Sequence, residues 1–252
     1  MKKIRVSLTG ISICIFAFSA WATELKVGLA ELDYPPYYFE TDGQYDGAAV
    51  EISQTIAQSL GYKLVFLRFP WKRIQTLLHS GAVEMMILYF KTPERAKDVI
   101  YVDVPHIYES SDLFVAKGSE IKFNGHLSDL VSYRFGNVSG YSHGKEYDNA
   151  DALHKQEVNN EQQLVRILTN GRIDIGVGNK PVIIRYAERL GVNDKIRFLE
   201  PPIDIGANYI AFSKARKDAQ KLADEFSAQL GAYIKTAEYK AVLNKYSFTI
   251  KN

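Results

Sequence analysis

Runs of strand length alternate with stretches of helical periodicity along nearly the whole chain, and no other feature of the sequence narrows the fold as much. Leu25 to Ala30 reads as a first strand; Val50, Ile52, Ile56, Ala57 and Leu60 then fall largely on one helix face, which Gly61 stops. Lys63 to Leu67 is a second strand. Trp71, Ile74, Leu77 and Leu78 mark a short amphipathic helix ending near Gly81, and Val83 to Tyr89 is a third strand. Such alternation predicts a parallel α/β architecture, because each helix carries the chain back across its sheet.

The alternation begins afresh past residue 113. Leu113 to Ala116 and Tyr133 to Val138 read as strands, the second ending in a turn from Ser139 to Gly144. Gln162 to Thr169 is helical with Gly171 placed to cap it, and Ile173 to Gly178 is a buried-type strand running into Asn179-Lys180-Pro181, where proline opens another helix. Strands at Ile196 to Leu199 and Tyr209 to Phe212 come next, then helices near Lys217 to Leu230 and Thr236 to Tyr246. No linker rich in glycine or serine separates the units. They are expected to be joined by two ordered crossings, giving lobe one from residues 23–114 and 208–252 and lobe two from residues 115–207. A chain that leaves a lobe and returns makes a hinge, and ligands of open α/β sheets sit beyond the carboxyl ends of strands. The cleft between lobes is therefore the candidate site.

The N-terminus reads as an export signal. Met1 to Arg5 is basic, Val6 to Ala20 is apolar, and Ala20-Trp21-Ala22 suits signal cleavage, so residues 1–22 are expected to be removed and the protein exported, the alternative being a short N-terminal membrane anchor. The single cysteine, Cys14, lies in that segment, which leaves neither a disulfide nor thiol chemistry in the mature chain. Removal also takes Lys2, Lys3 and Arg5 and no acid, leaving 28 bases against 29 acids. A near-neutral exported protein has no electrostatic footprint for nucleic acid.

Thr92-Pro93-Glu94-Arg95 carries the most specific chemistry. Threonine suits a helix cap, proline the first turn, and glutamate the positive end of the dipole. Arg95 in that turn presents a planar fork matched to a carboxylate, beside backbone N–H groups that lack partners. Taken alone, the same residues also describe an ordinary capped surface helix with a solvated arginine. The rest of the chain shows no Gly-x-Ser-x-Gly, His-Glu-x-x-His or P-loop pattern, and the five histidines have no metal-ligand spacing, so no enzyme, cofactor or metal is expected.

In order and spacing, several segments together resemble the bacterial extracytoplasmic solute-binding proteins, family 3, that serve amino-acid transporters. The carriers are Tyr34-Pro35-Pro36-Tyr37, Gly43-Gln44-Tyr45-Asp46-Gly47, Pro70-Trp71 before Leu78-His79-Ser80-Gly81, Thr92-Pro93-Glu94-Arg95, Asn137-Val138-Ser139-Gly140, and Leu168 to Asp174. The resemblance implies the type II periplasmic binding fold, with two doubly wound lobes on two hinge strands, closing as a monomer around a small polar carboxylate, an amino acid or close relative. It further implies an ABC-type membrane permease as partner. It gives Arg95 the ligand's carboxylate, helped by N–H groups around Phe90 and by Ser142, sets Tyr34 and Trp71 as aromatic walls, and turns Glu31 toward the ligand's polar or amino end. Two positions depart from the family's usual pattern. Asn179 stands where an aspartate commonly pairs with the α-ammonium, and Phe90 where a serine is frequent; the first makes a carboxylate better supported than an α-amino acid. Each of these side chains also admits a structural role: Trp71 in the core, Tyr34 between lobes, Glu31 in solvent, Asn179 as a helix cap. Two alternatives stay open on the same fold, a ligand-presenting sensory subunit for a membrane receptor and a periplasmic dehydratase-like enzyme.

Overall fold

The computed structural model describes residues 23–248; the expected signal segment lies outside them. β1 (Thr23–Ala30) is followed by a hairpin, β2 (Phe39–Thr41) and β3 (Gln44–Asp46), which turns through Asp42 and Gly43 at φ of 51° and 76°. Two consecutive residues at positive φ suit the twist of a two-residue hairpin, and Asp-Gly is a residue pair that tolerates them. α1 (Ala48–Ser59), β4 (Tyr62–Phe69), α2 (Trp71–Ser80) and β5 (Met85–Phe90) complete the first unit, where β1 lies between β4 and β5 and parallel to both. The apolar face expected for α1 is the buried one, with Val50, Ile52, Ile56 and Ala57 at most 2% exposed. Burial of each larger member contributes about 1.5 to 3 kcal/mol.

Beyond β5 the structure departs from expectation. Thr92 does cap, its Oγ1 accepting the Arg95 N–H at 3.2 Å, but it opens a single 3₁₀ turn, Arg95–Lys97, and no α-helix. The apolar run Val99-Ile100-Tyr101 cuts the helix short, because as β6 (Val99–Tyr101) it pairs with a strand far along the chain. β7 (Ile107–Ala116) then starts six residues before the strand read from sequence.

The second unit consists of β8 (Arg134–Val138), α3 (Lys145–Asp148), β9 (His154–Val158), α4 (Glu161–Thr169), β10 (Ile175–Gly178), α5 (Lys180–Arg189) and β11 (Ile196–Phe198). Here β8 is flanked by β9 and β10, again parallel to both. The return strand β12 (Asp204–Ser213) leads into α6 (Ala219–Tyr233) and α7 (Ala237–Lys245), which close the first unit. Thr236 caps α7 by accepting the Tyr239 N–H at 3.2 Å.

The strand order β4-β1-β5-β12-β7-β10-β8-β9 puts the two crossings at the centre of the molecule. β7 and β12 pair antiparallel over Ile107–Ser111 and Asp204–Asn208; past that overlap β12 joins β5 and β6, while β7 joins β10 and β11. The sheet is therefore two parallel halves sewn together by antiparallel hinge strands, where sequence alone suggested parallel pairing throughout.

Candidate functional site

The paired hinge strands floor a cavity of about 40 Å³, walled by side chains from both units. It adjoins a wide recess of about 1030 Å³, and Phe90, Arg95, Tyr141 and Ser142 line both.

Arg95 enters from the 3₁₀ turn after β5. Its guanidinium lies 4.3 Å from the Tyr89 ring centre, Nη1 donates to the Phe90 carbonyl at 3.1 Å, and Nη2 reaches across to the Gly140 carbonyl of the second unit at 3.1 Å. Trp71, the first residue of α2, donates Nε1–H to that same carbonyl at 2.9 Å and meets the Tyr141 ring edge-on at 5.2 Å. It is half-buried, lines the cavity and also packs against the hydrophobic core.

Gly140 makes this approach possible. Its φ is 78°, and an added Cβ would lie 3.0 Å from Gln75 Oε1 and 3.2 Å from Trp71 Cδ1. Gly140→Ala is expected to disfavour this closed arrangement because its methyl would crowd Gln75 and Trp71, beyond the roughly 1 to 2 kcal/mol of left-handed strain that it would carry in any arrangement. Small-angle scattering should then report a larger radius of gyration than for the parent; an unchanged radius would mean that Gly140 does not govern the approach.

Tyr34 comes from the loop after β1 and is 5% exposed. It stacks on Tyr38 with centres 5.7 Å apart, and Tyr141 faces it edge-on at 6.1 Å. Its hydroxyl donates to Oε1 of Glu109 on β7, while Asn208 on β12 donates Nδ2–H to Oε2 at 3.0 Å. Glu109 is 7% exposed, and burial pushes its carboxyl up to about 7 despite those two hydrogen bonds. Desolvation disfavours the ionised form, and two neutral donors only partly offset it.

Asn179 lines the cavity and is 4% exposed. It occupies the N-cap position of α5, yet its side chain does not cap: the Lys180 N–H is taken by Asp112 Oδ2 at 3.0 Å. Asn179 Nδ2 instead donates to the Tyr37 hydroxyl at 3.2 Å and the Ser110 carbonyl at 3.1 Å, while its Oδ1 is buried with no partner among the described residues. The Ser142 hydroxyl donates to Asp148 at the edge of the recess, and Phe90 lines the cavity while its carbonyl accepts from Arg95 and Tyr101. Glu31 is exposed and borders a separate small hollow beside Trp71 and Glu161, outside the central cavity.

Six of the seven residues singled out in the sequence thus converge on one cavity, and Glu31 does not. Glu109, Asn208, Tyr141 and His143 line it as well and were not foreseen. His143 is fully enclosed, and burial lowers its ring to about 4. The sequence held one signal for Glu109: in Glu109-Ser110-Ser111-Asp112 a strand periodicity of two puts Glu109 and Ser111 on one face, and both line the cavity. Among the described residues no cluster suits a metal ion, and no helix is long and apolar enough to cross a membrane.

Residues 25–249 match the bacterial extracellular solute-binding proteins, family 3. The chain is 22% identical over 227 residues to the probable amino-acid-binding protein YxeM of Bacillus subtilis (strain 168), covering 88% of this chain and 83% of that protein. An ancestral arginine-binding protein bound to arginine superposes with a TM-score of 0.75 at 24% identity, covering 90% of this chain and 99% of the other. A histidine kinase sensor domain with similarity to periplasmic binding proteins does so with a TM-score of 0.77 at 21% identity, covering 90% and 96%. The architecture is that of the type II periplasmic binding proteins, two lobes on two hinge strands. With a match that spans nearly all of the described residues, the chain belongs to the bacterial extracellular solute-binding proteins, family 3.

Proposed function

We propose that this protein is exported to the periplasm, captures a small polar carboxylate, an amino acid or a close relative, between its lobes, and delivers it to an ABC-type membrane transporter. The observation that carries the reading is Arg95, a guanidinium fork at the junction of cavity and recess whose acceptors are neutral carbonyls from both lobes. A carboxylate there would bring ionic acceptors to the same donors, roughly doubling the strength of each bond. In this reading lobe one is residues 23–114 and 208–252, and lobe two residues 115–207; Trp71 and Tyr34 wall the ligand, and Phe90, Ser142 and Asn179 complete its polar surroundings. Ligand touches both lobes only when they are closed, so its binding energy shifts the population toward the closed form.

A thermal-shift screen of the purified protein against amino acids, amine-free carboxylic acids, small peptides and sugars tests it. Stabilisation that grows with the concentration of a carboxylate is expected. A response to sugars alone, or to nothing carrying a carboxylate, would reject the reading.

The likeness to a histidine kinase sensor domain favours a second reading, in which the same closed clamp is presented to a membrane receptor. The membrane protein that binds only the ligand-loaded form separates the two. Catalysis is the least supported, and chemical change of a bound carboxylate on long incubation would bring it forward, with Glu109 as the acid in the cavity.

A further inference from the structure

For the ligand's amino end the sequence offered Glu31 and an uncharged Asn179, and the structure sets Glu31 outside the cavity. Resting on the carboxylate reading above, we infer that Glu109 on hinge strand β7 takes a cationic amine of the same ligand, with Asn179 Oδ1 as a second acceptor.

Three independent observations meet at this position. The first is charge: Glu109 is a carboxylate 7% exposed, and among the described residues no ion pair includes it. Its partners, Tyr34 and Asn208, are neutral donors that hold one oxygen each and leave lone pairs on both. A buried carboxylate with no cation in contact is unfavourable to keep ionised; the field of Arg95 offsets that only in part, and burial still pushes the carboxyl up to about 7.

The second is hydrogen-bond inventory. Asn179 has both amide hydrogens engaged, by Tyr37 and by Ser110, so its buried Oδ1 can only be satisfied by a donor from elsewhere. An ammonium has three N–H donors and no acceptor, which complements a carboxylate and an amide oxygen together. A hydroxyl brings a single donor and no charge.

The third is the surrounding surface. Tyr34, Tyr38, Trp71 and Tyr141 enclose the cavity with ring faces and edges, a setting that favours a desolvated cation over an anion. Arg95 supplies the opposite demand at the recess, where its fork takes an anion. The cavity therefore has polarity: an anion end at Arg95 and a cation end on the hinge, which is the charge pattern of a zwitterion. The ammonium contact sits on a strand shared by both lobes, so it would form whichever lobe met the ligand first.

Matched pairs test this. Calorimetry would compare L-amino acids with their amine-free acids, such as L-alanine with propionate and L-phenylalanine with 3-phenylpropionate, on the parent protein and on Glu109→Gln. On the parent, the amino acid of a responding pair is expected to bind about tenfold to a hundredfold more tightly, the strength of a hydrogen-bonded charge. In Glu109→Gln that preference should collapse to within about threefold. A preference retained in Glu109→Gln overturns the assignment, as does a parent protein that favours the amine-free acids, a comparison that needs no variant. Absence of any response to either member of every pair defeats the carboxylate reading itself and this inference with it.

Discussion

Arg95→Ala is expected to weaken the binding of a carboxylate ligand by about 2 to 5 kcal/mol, as truncating one side of a buried, hydrogen-bonded charge pair does. Its side chain is half-buried, its plane lies 4.3 Å from the Tyr89 ring centre, and both bonded nitrogens point at acceptors fixed by the fold. Little side-chain freedom remains to be lost on binding, so the gain of an ionic acceptor over the carbonyl it displaces would appear as affinity. Arg95→Lys should fall between parent and alanine variant, because it keeps the charge and loses the fork. Titration calorimetry with any carboxylate that stabilises the parent supplies the measurement, and a dissociation constant near the parent's for Arg95→Ala would remove Arg95 from the site.

The second large effect has the opposite sign and concerns stability. The Glu109 carboxyl is raised to about 7 from an ordinary value of 4.5. Below pH 4.5 the group is protonated folded and unfolded alike and imposes no penalty. As the pH rises toward 7 the unfolded chain ionises while the folded one resists, and the folded state loses stability until both are ionised. At about 1.36 kcal/mol for each pH unit of that window, the full penalty is about 3 kcal/mol. Glutamine cannot ionise and keeps the shape and much of the bonding to Tyr34 and Asn208. Ligand-free Glu109→Gln should accordingly be more stable than the parent by about 3 kcal/mol at pH 8, and by under about 1 kcal/mol at pH 5. Urea unfolding at the two pH values decides; an equal difference at both would mean that the carboxyl titrates normally in the fold. A residue that weakens the fold while lining its cavity is in the position expected of a binding group and not of a structural one.

The two-lobed architecture was readable because its strands and helices are long, apolar on the correct period and punctuated by glycines such as Gly61, Gly81 and Gly171. The hairpin at Phe39–Asp46 escaped because its strands are three residues each, too short to show alternation. At Thr92 the cap was correct and the helix was not, since pairing of Val99–Tyr101 with β12 overrode a local signal. Long-range pairing of that kind leaves no trace near Arg95. The site shows the same division. Arg95, Trp71, Tyr34, Phe90, Ser142 and Asn179 lie on segments with their own local signatures, and all reach the cavity. Glu109 sits in a stretch, Glu109 to Asp112, whose polarity resembles a loop, because Glu109 and Ser111 face the cavity where a core strand would set apolar residues. Glu31 was misplaced for a geometric reason: the chain turns after Ala30, so that Tyr34 is carried inward and Glu31 toward solvent.

The carbonyl of Gly140 accepts from Trp71 and from Arg95, tying the lobes together with the very guanidinium a carboxylate would use. On the proposed carboxylate reading, capture would be an exchange of partners, with the lobes parting before it takes place. The speed of entry would then belong to the protein, set by how often that carbonyl is released, and would be shared by every ligand that fits. Ligands would be told apart afterwards, by how long the closed clamp retains each one, so that discrimination resides in dwell time and not in arrival.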